Sequence, residues 1–221
     1  MKPVSWSHSA LKEFEGCNKR YQEVKVLKNY KFEESEATRY GTAFHLAAEE
    51  YVRDGKPLHA HFAFAKETLD ALLLKPGRKL CEYKMTLTKE LKPCGWYDKE
   101  AWVRGMADLL IVDDENFTCY VVDYKTGKDK YPDREQLKLM AMLVFAHMPH
   151  IRKVNAALLF VVKNSMVKTK MTFDQAEPEW WAYRERVGRI EQAHETGVWN
   201  AKTSPLCPWC PVNTCAHHPR H

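Results

Sequence analysis

At 221 residues with 45% hydrophobic side chains, the chain is long enough for one sizeable domain or two small ones and can bury a real core. No N-terminal apolar signal region and no run near the ~20 apolar residues of a membrane span occurs, so the sequence reads as soluble and cytoplasmic. Lys plus Arg exceeds Asp plus Glu by only 34 to 29, too small an excess to identify a nucleic-acid partner from net charge.

In chain order, Ser7 or Ser9 can cap a short helix carrying Leu11 and Phe14. A longer helix is predicted from about Glu36 to Asp54, with Tyr40, Phe44, Ala47 and Tyr51 on one face and Gly55 ending it. A third spans Leu58 to Leu74 and stops at Pro76-Gly77. The period then changes. Glu82 to Thr88, Ala101 to Val112 and Phe117 to Lys125 read as strands of an antiparallel meander, the last two joined by the turn at Asp113 to Asn116. A helix from Asp133 to about His147, an apolar strand from Val154 to Val162, a short strand around Lys168 to Phe173 and a helix from Glu177 to Thr196 follow. The expected fold is therefore α/β, a central mixed β-sheet with helices packed on it. We expect one domain over 1–221: a helical part (1–80), a sheet core (81–175), then a C-terminal helix and Cys-rich tail (176–221).

Two strand ends carry acids. Asp108 interrupts the apolar run VRGMADLLIV, and in CYVVDYKTGK a spacing of two puts Asp123 and Lys125 on one face while Tyr124 points away. An Asp-x-Lys pair alone reads as a strand-end salt bridge. A carboxylate inside an apolar strand, however, is costly unless it is paired or bound to a metal, and two hard carboxylates on neighbouring strands suit Mg or Mn. Gln136 has a plain alternative role, because Asp133 with Gln136 three residues on forms a capping-box pattern. Lys128, Lys130, Arg134 and Lys138 crowd the segment after Lys125, and Lys163, Lys168 and Lys170 form a second basic stretch.

Gly105-x-x-Asp108, then Asp123-Tyr124-Lys125, then Gln136 opening a helix, resembles the PD-(D/E)XK nuclease superfamily, in the RecB-like, AddB-like branch that includes CRISPR-adaptation-type and phage exonucleases. Upstream, Tyr40-Gly41-Thr42-Ala43-Phe44-His45 matches that branch's helical motif, and Ser7-x-Ser9-x-Leu11-x-x-Phe14-x-x-Cys17-x-x-Arg20-Tyr21 matches its opening helix and first cysteine. The resemblance implies a restriction-endonuclease-like core that hydrolyses phosphodiesters. It further implies that His45, Asp108, Asp123 and the Tyr124 backbone carbonyl ligate Mg or Mn, while Lys125 orients water or stabilises the transition state. Glu49, one turn after His45, can serve as its hydrogen-bond partner. Gln136 would lie at the active site; the family's Tyr four residues later is Met140 here. Lys128, Lys130, Arg134 and Lys138 would contact DNA phosphates with little sequence preference.

Of seven cysteines, Cys81, Cys94 and Cys119 read as ordinary strand or loop residues. Cys207-x-x-Cys210 and Cys215 offer three metal ligands, and spacing alone leaves the fourth open between Cys17 and the neighbouring His217 or His218 of a local zinc knuckle. In the iron-sulfur branch one cysteine precedes the nuclease core and three follow it. The resemblance thus implies a structural 4Fe-4S cluster on Cys17, Cys207, Cys210 and Cys215, joining the terminal segments, with structural zinc as the alternative. The activity implied is an Mg- or Mn-dependent DNA exonuclease acting on ends or single strands, in phage or recombination and repair processing. It would act in the cytoplasm, the host's if phage-encoded, with no membrane and with a recombination or replication protein as a possible partner. A flap endonuclease with the same site and a non-catalytic DNA-binding subunit are the alternatives.

Overall fold

The computed structural model describes residues 3–30, 34–128, 130 and 132–219. In chain order the helices and strands are α1 (His8–Gly16), α2 (Asn18–Tyr21), α3 (Glu36–Asp54), α4 (Lys66–Leu73), β1 (Arg78–Leu87), β2 (Val103–Asp113), β3 (Thr118–Lys125), α5 (Arg134–His147), β4 (Lys153–Phe160), β5 (Ser165–Thr172) and α6 (Ala176–Thr196). The chain divides into two compact units, Met1–Ser5 with Glu34–Trp180 and Trp6–Glu33 with Trp181–His221. Among the described residues, no helix is long and apolar enough to cross a membrane.

The first unit is built on a five-stranded sheet in the order β1-β2-β3-β4-β5. The pairs β1–β2, β2–β3 and β4–β5 are antiparallel and β3–β4 is parallel, so the expected mixed α/β sheet flanked by helices is observed. The parallel step follows from the connection: β3 to β4 crosses over through α5, as parallel neighbours require. The pleat sorts the apolar residues onto two faces. Leu109 and Ile111 of β2 and Val122 and Tyr124 of β3 pack with Phe44, Ala48, Val52 and Leu69 of α3 and α4. The alternate residues Leu110, Val121, Ala156 and Leu158 are buried on the other face, where α5 packs on the strands.

Boundaries moved where local chemistry outweighed periodicity. The predicted 58–74 helix is a 3-10 turn over Ala60–Ala65 followed by α4. Phe62 and Ala65 are both buried, and the three-residue period of a 3-10 turn puts residues three apart on one ridge. The first strand begins at Arg78 rather than Glu82, because Gly77, at φ 114 with Val112 O only 2.6 Å from where a Cβ would sit, turns the chain directly into the sheet. Caps behave as the residue types dictate. Ser7 Oγ accepts from Ala10 N, Ser35 Oγ accepts from Thr38 N, and Gly55 closes α3 in the left-handed conformation.

In the second unit α1 buries Leu11 and Phe14, whose ring meets Tyr21 and Trp199 edge to face. Arg186 of α6 donates through Nε and Nη2 to both carboxylate oxygens of Glu15, at 2.6 and 2.8 Å. The tail beyond α6 holds a single 3-10 turn, Cys207–Trp209, among the described residues.

Candidate active site

The site lies where the regular ladder around Asp108 is interrupted on both flanks. On one side the β2–β3 pairing runs from Asp113↔Thr118 to Leu109↔Val122 and stops. In place of the next main-chain bond, Asp108 Oδ2 accepts the Tyr124 N–H at 2.6 Å. On the other side the β1–β2 ladder pairs Cys81 with Leu109 and Tyr83 with Ala107 but skips Glu82 and Asp108 between them. Glu82 sits there at φ 49, a left-handed conformation that costs a non-glycine residue about 1–3 kcal/mol and gathers at functional sites. The opening lets a carboxylate from each strand emerge where the sheet would otherwise be sealed.

His45 of α3 completes the group. Its Nδ1 lies 3.3 Å from Asp108 Oδ2, and one ligand atom from each of His45, Glu82 and Asp108 falls within 4.8 Å of the others. An imidazole and two carboxylates at that separation form a donor set that can hold a divalent cation. Their electrostatics favour positive charge. The Asp108 carboxylate raises the His45 pKa above the ordinary histidine value, against the desolvation that lowers it. Burial, then the neighbouring Asp108, raises Glu82 above the usual carboxylate range. A cation bound there removes this repulsion and must displace the imidazole proton.

Asp123 and Lys125 stand beside this group at the end of β3. Lys125 Nζ lies 2.5 Å from Asp123 Oδ2, and Gln136 of α5 donates its Nε2 hydrogen to Asp123 Oδ1 at 2.6 Å. The same-face geometry expected from their spacing of two is present, while Tyr124 packs into the opposite core against Phe44. Asp123 Oδ2 is buried and, apart from the ion pair, has no aligned hydrogen-bond donor. Burial, then the charge of Asp108, raises the Asp123 pKa, with Lys125 opposing the shift.

Gln136 is thus part of the site and not of a capping box: Asp133 caps α5 through Glu135 N, and the Gln136 amide is committed to Asp123. Met140, in the place of the family's Tyr, is buried. A Cβ at Gly105 would come within 3.0 Å of Met140 Cε and 2.4 Å of Leu143 Cδ1, so Gly105 is the seat on which α5 rests and Met140 is core. Glu49 pairs with Arg53 rather than with His45. Of the proposed phosphate contacts, Lys128, Lys130 and Arg134 are exposed, whereas Lys138 Nζ is held by Glu179 at 2.5 Å.

Glu82 is the site residue that sequence reasoning missed. At the start of the predicted 82–88 strand an acid is unremarkable. Its position opposite Asp108 depends on a register that the long 88–102 connection does not dictate.

In the second unit Cys17, Cys207, Cys210 and Cys215 line one cavity of about 430 Å³ together with His217 and His218. Backbone N–H groups point at two of the sulfurs, Lys202 N at Cys17 Sγ (3.4 Å) and Ser204 N at Cys207 Sγ (3.3 Å). The three other thiols, Cys81, Cys94 and Cys119, belong to the first unit; burial pushes Cys81 up to about 11 and Cys119 up to about 12, where neither is a reactive thiolate.

Comparison with known proteins agrees with this architecture. No curated protein sequence matches the chain. Among solved structures, a candidate exonuclease from Eubacterium rectale superposes with a TM-score of 0.55 at 16% identity, covering 95% of this chain and 88% of that one. A second structure, SSO0001, gives a TM-score of 0.48 at 12% identity, covering 99% of this chain and 89% of that one. The profile of the PD-(D/E)XK nuclease superfamily matches residues 5–99 and 63–215. With that match spanning well over half of its length, the chain belongs to the PD-(D/E)XK nuclease superfamily.

Proposed function

We propose that the protein is an Mg- or Mn-dependent DNA exonuclease of the RecB-like iron-sulfur branch, acting on ends or single strands, and that 1–221 works as one nuclease domain. The observation that carries the reading is the juxtaposition of two groups at one strand end: the His45–Glu82–Asp108 donor set and the Gln136–Asp123–Lys125 chain. Nucleases of this superfamily use divalent metals, and the residues present fit one: hard oxygens, an imidazole, and a buried Asp123 oxygen without an aligned donor. His45, Glu82, Asp108 and Asp123, with the Tyr124 carbonyl, would hold the ion. When bound, a divalent ion supplies charge neutralisation at the phosphate and acidifies water.

The chain's own residues do the rest. Lys125 holds the attacking water in line and stabilises negative charge growing on the non-bridging oxygens. Asp123 fixes the Lys125 ammonium, and Gln136 fixes Asp123, so the lysine is oriented before substrate arrives. Lys128, Lys130 and Arg134 would hold the backbone of the incoming strand, and the reaction would take place in the cytoplasm, in phage or recombination and repair processing.

The cysteine cavity supports a structural cluster. The four sulfurs line one space, and amides donate to two of them, as thiolate ligands accept.

The test is digestion of end-labelled single- and double-stranded DNA with Mg or Mn, using anaerobically purified protein whose visible spectrum and iron content are recorded. Progressive shortening from an end is expected. Absence of cleavage with both metals overturns the nuclease reading, and a colourless, zinc-loaded protein overturns the cluster.

A further inference from the structure

On the sheet face opposite α5, the strands β3, β4 and β5 and the end of α4 enclose a groove of about 520 Å³. Its floor is apolar, with Tyr120, Leu159 and Met166, and its walls carry Lys75, Lys153, Lys168 and Lys170. The sheet register explains the grouping. Met166 pairs with Leu159, Lys168 with Ala157 and Lys170 with Asn155, so alternate residues of the edge strand β5 project onto one face. All four lysines are exposed, and Lys75 Nζ lies 4.6 Å from the centre of the Tyr120 ring.

This charge is not balanced as it is on neighbouring surfaces. Lys56 pairs with Glu50 and Lys66 with Asp70, but no carboxylate lines the groove, and among the described residues none of its four lysines pairs with an acid. Uncompensated cations around an apolar floor match a ligand that is both polyanionic and able to present flat apolar faces. Duplex DNA offers the charge but keeps its bases stacked inward; a single strand offers both.

We propose that this groove is a second, non-catalytic site for single-stranded DNA, with phosphates on the lysines and bases over the Tyr120–Leu159–Met166 floor. The proposal rests on the reading of the chain as a DNA nuclease and adds a role to it. Tyr120 and Val122 alternate with Asp123 along β3, so the groove lies on the face away from the Asp123 carboxylate. A strand held there is not the one being cut. It tethers the enzyme to its substrate between cleavage events.

The test uses the full-length protein with Lys153→Ala, Lys168→Ala and Lys170→Ala combined, exposed positions whose loss should leave the melting temperature unchanged. Binding of dye-labelled oligo(dT) is followed by anisotropy in EDTA across a salt series. Each phosphate contact on a single strand contributes about −0.7 to the slope of log K against log salt, so the slope should weaken by about 2 in the triple variant. Between about 50 and about 200 mM salt the wild type should lose about twentyfold more affinity than the variant. Hydrolysis of bis(p-nitrophenyl) phosphate, too small to reach the groove, should be equal in both, while digestion of long single strands falls in the variant. Unchanged oligo(dT) binding in the variant overturns the groove, whatever the activity. Lysine-dependent binding without hydrolysis of either substrate supports the groove and overturns the nuclease reading. Displacement of oligo(dT) by polyglutamate as effectively as by oligo(dA) overturns the nucleic-acid assignment in favour of an acidic peptide.

Discussion

The carboxylate centre and the cysteine cavity are both clusters of metal-capable donors, yet they are supported in opposite ways. Around His45, Asp108 and Asp123 lies a core that includes Phe44, Leu109, Ile111 and Val122, each contributing about 1.5–3 kcal/mol by burial. That scaffold stands without an ion. The tail bearing Cys207, Cys210 and Cys215 buries Val212 and His218 but leaves its larger apolar side chains out, Leu206 71% and Trp209 79% exposed, and its one regular element among the described residues is a three-residue turn. Such a segment gains too little from apolar contact to offset about 1–2 kcal/mol of backbone ordering per residue. Where a packed core holds the donors, an ion adds chemistry; where nothing else does, ligation and folding are one equilibrium.

The sharpest way to break that contrast is to empty each cluster in turn. Asp123→Asn or Lys125→Met should lower DNA cleavage on the order of 10³-fold, as loss of a preorganised electrostatic group does, with the melting temperature within about 2 °C of wild type. A parallel assay of cleavage and thermal unfolding decides it, and an active Asp123→Asn protein would refute the proposed chemistry. Cys17→Ser should behave in the opposite sense, losing iron and visible absorbance and melting about 10 °C lower, since several kcal/mol of ligation are forfeited. If the protein instead carries zinc, and His217→Ala or His218→Ala lowers the melting temperature while Cys17→Ser does not, the local zinc knuckle replaces the cluster.

Smaller effects refine the first cluster. Glu82→Gln should reduce cleavage about 10–100-fold, the range for a group supporting a metal site, and should raise metal-free stability slightly by removing a half-buried carboxylate beside Asp108. Steady-state digestion and a melt in EDTA report both. The pH dependence follows with its sign. Glu82 and Asp123 have raised pKa values in the fold, so their contribution to metal-free stability is complete below the ordinary carboxylate range and is lost as pH rises through the raised values. Magnesium should reverse that loss. The gain in melting temperature on adding it should therefore grow from about pH 5 to about pH 7, measured by scanning fluorimetry against EDTA, and a pH-independent gain would remove these carboxylates from the ion site.

Much of the site was legible because its geometry is local. The spacing of Asp123 and Lys125 dictates a shared face in any strand, and the observed ion pair needs nothing more. Helix α3, which presents His45, is set by Ser35 and Gly55 at its ends and by its apolar stripe. Glu82 was not legible, since its meeting with Asp108 is a matter of cross-strand register across a long loop and of a left-handed backbone no local pattern announces. Gln136 carried two local readings, and only the distance to Asp123 chose between them. Lys138 looked like its basic neighbours until Glu179, far along the chain, came within 2.5 Å.

Taken alone, the sequence determined which segments are strands and helices, that the sheet is mixed, and which side chains of one strand act together, because side-chain period and capping are properties of a few consecutive residues. Tertiary structure decided which strands oppose each other, that the ladder opens at Asp108, and that lysines from β4, from β5 and from the turn after α4 converge on one groove. Those outcomes depend on long-range packing, where register and the balance of burial against desolvation are settled over the whole core and no short stretch of residues carries the information.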